Sequence, residues 1–256
     1  YFSSINRPGY FEIIPTNKKG DEYTETGNPN LKHATADNLD ARYEFFPKSN
    51  EQILAGVFYK KISNPIEYGF VGAKADQYQP ANFGDATNFG FEFVYEKYIS
   101  KFGLRFNYTY TNSSITTTKI KTFNNTRIEP APSETRPLQG QSAHIANAAL
   151  LYKNLKSGID MQLAWQYTGK RIALVSPYYG FDQWQKDLNM FDFSAEKKIM
   201  KKYAVFAKIQ NLLNTPDEYY VNKPVTNTYP VPYQEAGSNQ TLSKRNLYGQ
   251  NYQLGF

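Results

Sequence analysis

The sequence predicts an all-β protein, a stretch of transmembrane, antiparallel, up-and-down β-barrel. Three observations predict it. Apolar and polar residues alternate with a period of two along many segments, the signature of strands with two unlike faces. One face is aromatic, and the other carries charges at mid-strand. The connections between these segments are short and long by turns.

The opening stretch "YFSSINRPGYFEIIP" reads as a partial strand entered midway, so a fragment or processed piece of a longer chain is expected. "NLDARYEF" sets Leu39, Ala41, Tyr43 and Phe45 against Asp40, Arg42 and Glu44. "FGFEFVYEKYI" sets Phe89, Phe91, Phe93 and Tyr95 against Gly90, Glu92 and Glu96, with Val94 breaking the pattern. "FGLRFNYTY" places Phe102, Leu104, Phe106, Tyr108 and Tyr110 opposite Gly103, Arg105, Asn107 and Thr109. "GIDMQLAWQYTGK" opposes Ile159, Met161, Leu163, Trp165 and Tyr167 to Asp160, Gln162, Ala164, Gln166 and Thr168. "FDFSAEKKI" and "YAVFAKIQN" repeat the arrangement, whereas "ILAGVFYKK" and "HIANAALLYKN" are strands whose faces are harder to assign. The last segment, "NLYGQNYQLGF", puts Tyr248, Tyr252, Leu254 and Phe256 on one face, as suits a strand that closes a barrel.

A lipid-facing exterior around a wet interior requires oily residues on one face and charges on the other. An antiparallel sheet lying on a soluble core also alternates. Connection lengths favour the barrel. "PKSNE", "SKFG", "NLKSG" and "MKK" are tight, and every connection between them is long. All tight turns therefore fall at one end and all large loops at the other, as in outer-membrane barrels. About ten strands of bilayer-crossing length follow.

Composition agrees. The chain has 256 residues with 22 Tyr and 18 Phe, too much aromatic surface for a disordered polymer. Its mean hydropathy is -0.64, and no apolar run is long enough to span as a helix. No cysteine is present, which excludes disulfides and thiolate metal sites. The formal charge of +6 comes with lysines in turn segments such as "EKKIMKK" and "YKNLKSG", not in one stripe, which argues against nucleic acid as a partner.

The ordered motifs "INRPGYFEIIP", "GNPNLKHATADNLDARYEFFP", "FYKKISNPIE", "GFEFVYEKY", "FNYTYTNSSI" and "NLLNTPDEYY", ending in a terminal Phe, resemble TonB-dependent outer-membrane receptors, most of all those of Bacteroidetes. The resemblance implies that residues 1–256 are the C-terminal portion of one barrel domain, about the last ten strands of a 22-stranded barrel. It implies an N-terminal remainder with a plug domain, contact with TonB through that plug, and outer-membrane lipids and lipopolysaccharide around the barrel. A surface lipoprotein is a further partner consistent with it. Location in the outer membrane of a Gram-negative bacterium follows, with external loops at the cell surface. The implied function is capture of a scarce ligand and import driven through TonB, with no enzymatic activity and no cofactor. A non-energised porin, or a structural part of a secretion or surface-protein complex, is the alternative. An outer-membrane protease or lipase has no Ser/His/Asp arrangement to support it.

Two loops carry candidate ligand contacts. "RIALVSPYYGFDQWQKD" gathers Arg171, Tyr178, Tyr179, Phe181 and Trp184, rigid aromatics and a cation suited to a sugar, peptide or chelate ring. "NKPVTNTYPVPY" adds Tyr229 and Tyr233 on a proline-stiffened loop. A girdle or loop–loop packing is the plainer reading of both. Asp40, Arg42, Glu44, Glu92 and Arg105 are expected on the lumenal wall, where a plug would dock or where charges pair among themselves. His33 and His144 stand alone and form no metal site.

Overall fold

A computed structural model describes residues 1–20, 23–70, 77–123, 126–127, 130–200, 203–223 and 237–256. Its main sheet is a meander in which each strand pairs antiparallel with the next. We number these wall strands β1 (Phe2–Asn6), β2 (Ala34–Lys48), β3 (Glu51–Ser63), β4 (Ala86–Ile99) and β5 (Phe102–Thr118). They continue as β6 (His144–Asn154), β7 (Ile159–Thr168), β8 (Leu188–Ile199), β9 (Tyr203–Gln210) and β10 (Asn251–Gly255). The short strand Ser133–Arg136 pairs with the far end of β5 beside this path. The expected alternation of tight and long connections holds across the wall.

Register turns the sequence pattern into two continuous surfaces. Phe45, Ile53, Tyr95, Phe106, Ala148, Trp165 and Phe191 are successive partners across seven strands, from β2 to β8. Three residues along, Arg42, Gly56, Glu92 and Thr109 form a row on the opposite, polar face. Register also assigns the two difficult strands. Ile53, Ala55, Val57 and Tyr59 of β3 join the aromatic face, as do Ala146, Ala148 and Leu150 of β6. Val94 lies on the polar face beside Leu54 and Asn107, which explains why it interrupts its own strand's pattern.

Among the described residues nothing covers the aromatic face. Leu39, Tyr43, Val57, Phe89, Phe91 and Leu150 are all exposed, and the buried apolar residues cluster elsewhere. On the polar face, rings lie over glycines of the neighbouring strand. Phe58 crosses Gly90, Tyr98 crosses Gly103, and Phe206 crosses Gly255, each pair in direct register. Such rings restore the packing that a side-chain-free position lacks and pin the register.

Beyond the long-connection end of the wall, the described residues build two four-stranded sheets and a two-stranded pair, Thr122–Phe123 with Thr126–Arg127. One four-stranded sheet contains Asn17–Lys19, Thr24–Thr26, Gln77–Asn82 and Ile66–Phe70; the other contains Arg171–Leu174, Gln183–Gln185, Asp217–Val221 and Thr241–Asn246. A parallel bridge between Gly69 and Val175 joins them, and the Phe70 amide donates to the Val175 carbonyl at 3.0 Å. A Cβ on Gly69 would stand 2.8 Å from that carbonyl oxygen, so glycine permits the approach. The dry core lies here: Ile115, Ile172 and Val175 are almost wholly enclosed. Burial of such side chains stabilises this cap by about 1.5–3 kcal/mol each.

Two expectations are corrected. The opening segment is a strand only to Asn6, and Tyr10–Ile13 form one helical turn because Glu12 reaches back to the Gly9 amide at 2.6 Å. The last strand is also shorter than the alternation implied. Gly249 has φ +72, so the chain turns there, and Tyr248 lies before β10 as an exposed residue. Tyr252 and Leu254 do join the aromatic face, opposite Ile209 and Ala207, and Phe256 follows the strand.

The wall offers a direct test. A Cβ at Gly90 would fall 1.9 Å from the Tyr110 carbonyl oxygen and 2.7 Å from the Phe58 ring. Gly90→Val is expected to destabilise the barrel by about 2 kcal/mol or more. The measurement is the urea midpoint at which the full-length protein loses its fast, unheated gel mobility.

Candidate functional site

The cap is organised by charges withdrawn from water. Arg136 Nη2 lies 2.6 Å from Glu67 Oε2, and Nη1 donates to Glu67 Oε1 at 3.2 Å, a two-pronged pair. Glu67 Oε1 also accepts the Gln139 amide at 2.6 Å. Lys119 Nζ donates to Asp182 Oδ1 at 2.8 Å and to the Ser176 carbonyl at 2.5 Å, with Glu134 3.7 Å away. Asp182 also accepts the Ser176 amide at 2.7 Å and stands 3.8 Å from Arg136 Nε. Glu67, Lys119, Arg136 and Asp182 are each at most 5% exposed. Buried charges persist only when paired and hydrogen-bonded, so this network ties four separate chain segments into one unit.

The network holds the aromatic loop in place. In "SPYYGFDQW", Phe181 donates its amide to the Tyr178 carbonyl, Gly180 takes φ +71, and Asp182 closes the base of the turn. Tyr179 and Phe181 therefore project from its tip, 39% and 49% exposed. A lysine sits over each ring: Lys121 Nζ is 5.3 Å from the Tyr179 centroid, and Lys223 Nζ is 4.6 Å from that of Phe181. Lys170 lies 5.7 Å over Trp184. Exposed cation–π pairs of this kind contribute about 0.5–1 kcal/mol.

The predicted ligand residues thus divide. Tyr179 and Phe181 share one tip, and Tyr178 is at its base, its amide held by Ser176 Oγ at 3.1 Å. Trp184 and Arg171 belong instead to the two strands whose connection carries this tip. There Arg171 Nε donates to Gln185 Oε1 at 2.7 Å, and Gln185 donates in turn to Asp217 at 2.6 Å. Tyr229 and Tyr233 fall outside the described residues. Sequence reading did not anticipate Lys121, Lys170 and Lys223, nor the buried pairs. Of these only Lys170 lies near its ring in sequence, and no local pattern marks the others.

The five predicted lumenal charges do share the polar face. Asp40, Arg42 and Glu92 line a recess of about 350 Å³ with Phe58, Asn88 and Thr111. Arg42 pairs with Glu44 at 3.0 Å, and Arg105 pairs with Glu96 at 3.0 Å while donating to the Tyr98 hydroxyl at 2.7 Å. His144 Nδ1 is 2.7 Å from the Tyr108 hydroxyl, and His33 is exposed. Among the described residues no group of three or more His, Asp or Glu gathers as a metal site.

Half-buried phenols give the cap a pH response. Burial, seconded by the Asp217 carboxylate, pushes Tyr219 up to about 12. Burial alone as the leading cause pushes Tyr78 up to about 12, and burial with the Glu12 hydrogen bond raises Tyr68 further.

A one-sided aromatic wall, tight turns at one end and an ordered cap at the other define the class: a transmembrane β-barrel of the outer-membrane type. A family model described as "TonB dependent receptor-like, beta-barrel" matches residues 1–212. The chain belongs to the TonB-dependent receptor β-barrel family, whose members are transport receptors and not enzymes. Members carry a plug within the barrel and act with TonB. A search of curated proteins gives no match. Among solved structures, the copper transporter OprC superposes with a TM-score of 0.57 at 13% identity, covering 84% of this chain and 30% of that one. The FrpB iron transporter from Neisseria meningitidis gives 0.54 at 13% identity over 88% of this chain and 31% of its own. The ferric enterobactin receptor PfeA from Pseudomonas aeruginosa gives 0.54 at 15% identity, with 84% and 32% covered. The chain spans about a third of the length of these structures, and the likeness is one of fold.

Two outcomes follow from the cap. Arg136→Met leaves Glu67 buried without its countercharge, and a cost of about 3–5 kcal/mol is expected. It should appear as faster proteolytic cleavage of the long connections while the wall keeps its unheated gel mobility. For the phenols, the folded state holds protons that the unfolded state releases near pH ~10. Their contribution is therefore fully present below about pH 10 and is lost as pH rises towards 12. Tyrosinate absorbance should lag in the folded receptor, and cap proteolysis should accelerate across that window.

Proposed function

We propose that this chain is the C-terminal part of a TonB-dependent outer-membrane receptor, roughly the last ten strands of a barrel of about 22. Its long connections face the cell exterior and its tight turns face the periplasm. The receptor captures a scarce solute at the cap and imports it with energy transmitted by TonB through a plug outside this chain. The observation that supports this reading best is the cap itself. A passive pore needs no fused, charge-locked tier of loops, whereas a receptor needs a surface that keeps its shape while a ligand docks.

Within that reading, the Tyr179–Phe181 tip with Lys121 and Lys223 is the first ligand contact. Rigid rings and lysines together suit a negatively charged, ring-bearing solute such as a metal chelate. The solved neighbours include a copper transporter, an iron transporter and a ferric enterobactin receptor, which makes metal complexes the first solutes to test. The polar recess around Asp40, Arg42 and Glu92 is the docking wall for the plug, with Glu44 and Arg105 flanking it. Strand β10 carries Tyr252 and Leu254 to the seam where the complete barrel closes against its own first strand, flanked by Tyr248 and Phe256.

Growth of a deletion strain on defined iron, copper, vitamin, peptide and glycan sources tests the reading. A defect on one source, reproduced by collapsing the proton gradient in wild-type cells, is the expected result. Uptake that is insensitive to the gradient would favour the porin alternative. With the source known, Phe181→Ala combined with Lys223→Gln should weaken binding about tenfold and leave the barrel folded.

A further inference from the structure

We propose that the tight-turn rim of the wall is a docking collar for anionic phospholipid headgroups, with an acyl chain lying in an apolar groove beside it. The inference rests on the outer-membrane reading above and assigns the rim a partner.

Charge is concentrated there. Residues 48–52, 96–102, 153–160 and 196–202 hold nine lysines against four acidic residues. That excess of five accounts for nearly all of the chain's net charge of +6. The acids are largely committed: Glu51 pairs with Lys97 at 3.1 Å, Asp160 with Lys153 at 3.6 Å, and Glu96 with Arg105. Lys48, Lys101, Lys156 and Lys198, one at each tight turn, have no ion pair among the described residues, and all four are exposed.

Each of these lysines has a large apolar neighbour within two residues. Phe46, Phe102, Leu155 and Met200 are 59%, 64%, 85% and 84% exposed. Met200 holds φ +58, a left-handed position that favours glycine, yet a long apolar side chain stands there. A rim facing only water gains nothing from four protruding apolar groups. At a membrane interface each pair has a use: the apolar side chain enters the acyl boundary while the lysine stem carries its charge to the phosphate.

The groove makes the pattern more specific. Phe102, Leu104, Leu150, Tyr152, Met161 and Leu163 line an apolar trough of about 600 Å³ on the aromatic face, between the second and third tight turns. Lys97 stands at its rim, and Lys101 precedes Phe102 at its mouth. A free phosphate or an acidic protein would satisfy the lysines and leave both trough and protruding side chains unexplained. A lipid satisfies all three.

The test uses the full-length receptor in detergent, with native mass spectrometry of added phosphatidylglycerol or phosphatidylcholine. The wild type should retain phosphatidylglycerol in preference, and inorganic phosphate should not displace it. Replacing Lys48, Lys101, Lys156 and Lys198 together by glutamine should reduce that retention about tenfold. The same four changes to arginine should preserve it, and unheated gel mobility reports whether each variant is folded. Equal retention of both lipids by the wild type would overturn the proposal, whatever the variants do. So would unchanged retention in a folded glutamine variant, or displacement by inorganic phosphate. Fractionation separates the two readings: a wild type absent from the outer membrane defeats the function proposed above. A wild type present there without lipid preference defeats the collar alone.

Discussion

One constraint organises the molecule: every wall strand must satisfy its backbone hydrogen bonds sideways, against its neighbours, because lipid against one face offers no hydrogen-bond partner. The antiparallel ladder supplies these bonds from β1 to β10. Since side chains alternate strictly, the ladder also decides which residues face which medium. A slip of one residue at any pair would turn Phe106 or Trp165 to the wet side and Arg105 to the oily one. The ring-over-glycine pairs oppose such a slip, because a ring fits only where its partner lacks a side chain.

The wall and the cap solve stability differently. The wall has no core of its own, and its aromatic face finds its apolar contacts in the surrounding lipid. The cap stands where water replaces lipid and must enclose something. It buries Ile115, Ile172 and Val175, but its segments are short and their apolar content is modest. Charged pairs join them instead. Such pairs contribute less net stability than apolar packing, but they penalise every arrangement except the one that matches donors with acceptors. The cap is therefore defined in shape more than it is deeply stabilised.

This division follows the work of a receptor barrel. In the receptor proposed above, the wall needs to be indifferent to its occupant, and the cap needs a fixed shape where the ligand docks. The solved neighbours share the architecture at 13–15% identity, so the fold survives wide divergence in sequence. In this chain the connections supply two exposed rings with a lysine over each, carried on a turn whose base is closed by a buried aspartate.

The sequence by itself determined the wall. Periodicity of two, with Asp40, Arg42 and Glu92 opposed to Tyr43, Phe91 and Phe93, specified strands, faces and the direction of each turn. Strand faces are local properties, set by alternation within a few residues, so they could be read directly. Mixed strands such as β3 and β6 could not, because their faces are decided by register with aromatic neighbours. Tyr248 was misread for a related reason: alternation continues through Gly249, while the backbone at that glycine turns. The cap was illegible. Glu67 meets Arg136 and Lys119 meets Asp182 across more than sixty residues, and Lys223 reaches Phe181 across forty-two. Only tertiary structure decided those meetings, since contacts between distant segments depend on how loops pack once the wall has fixed their ends.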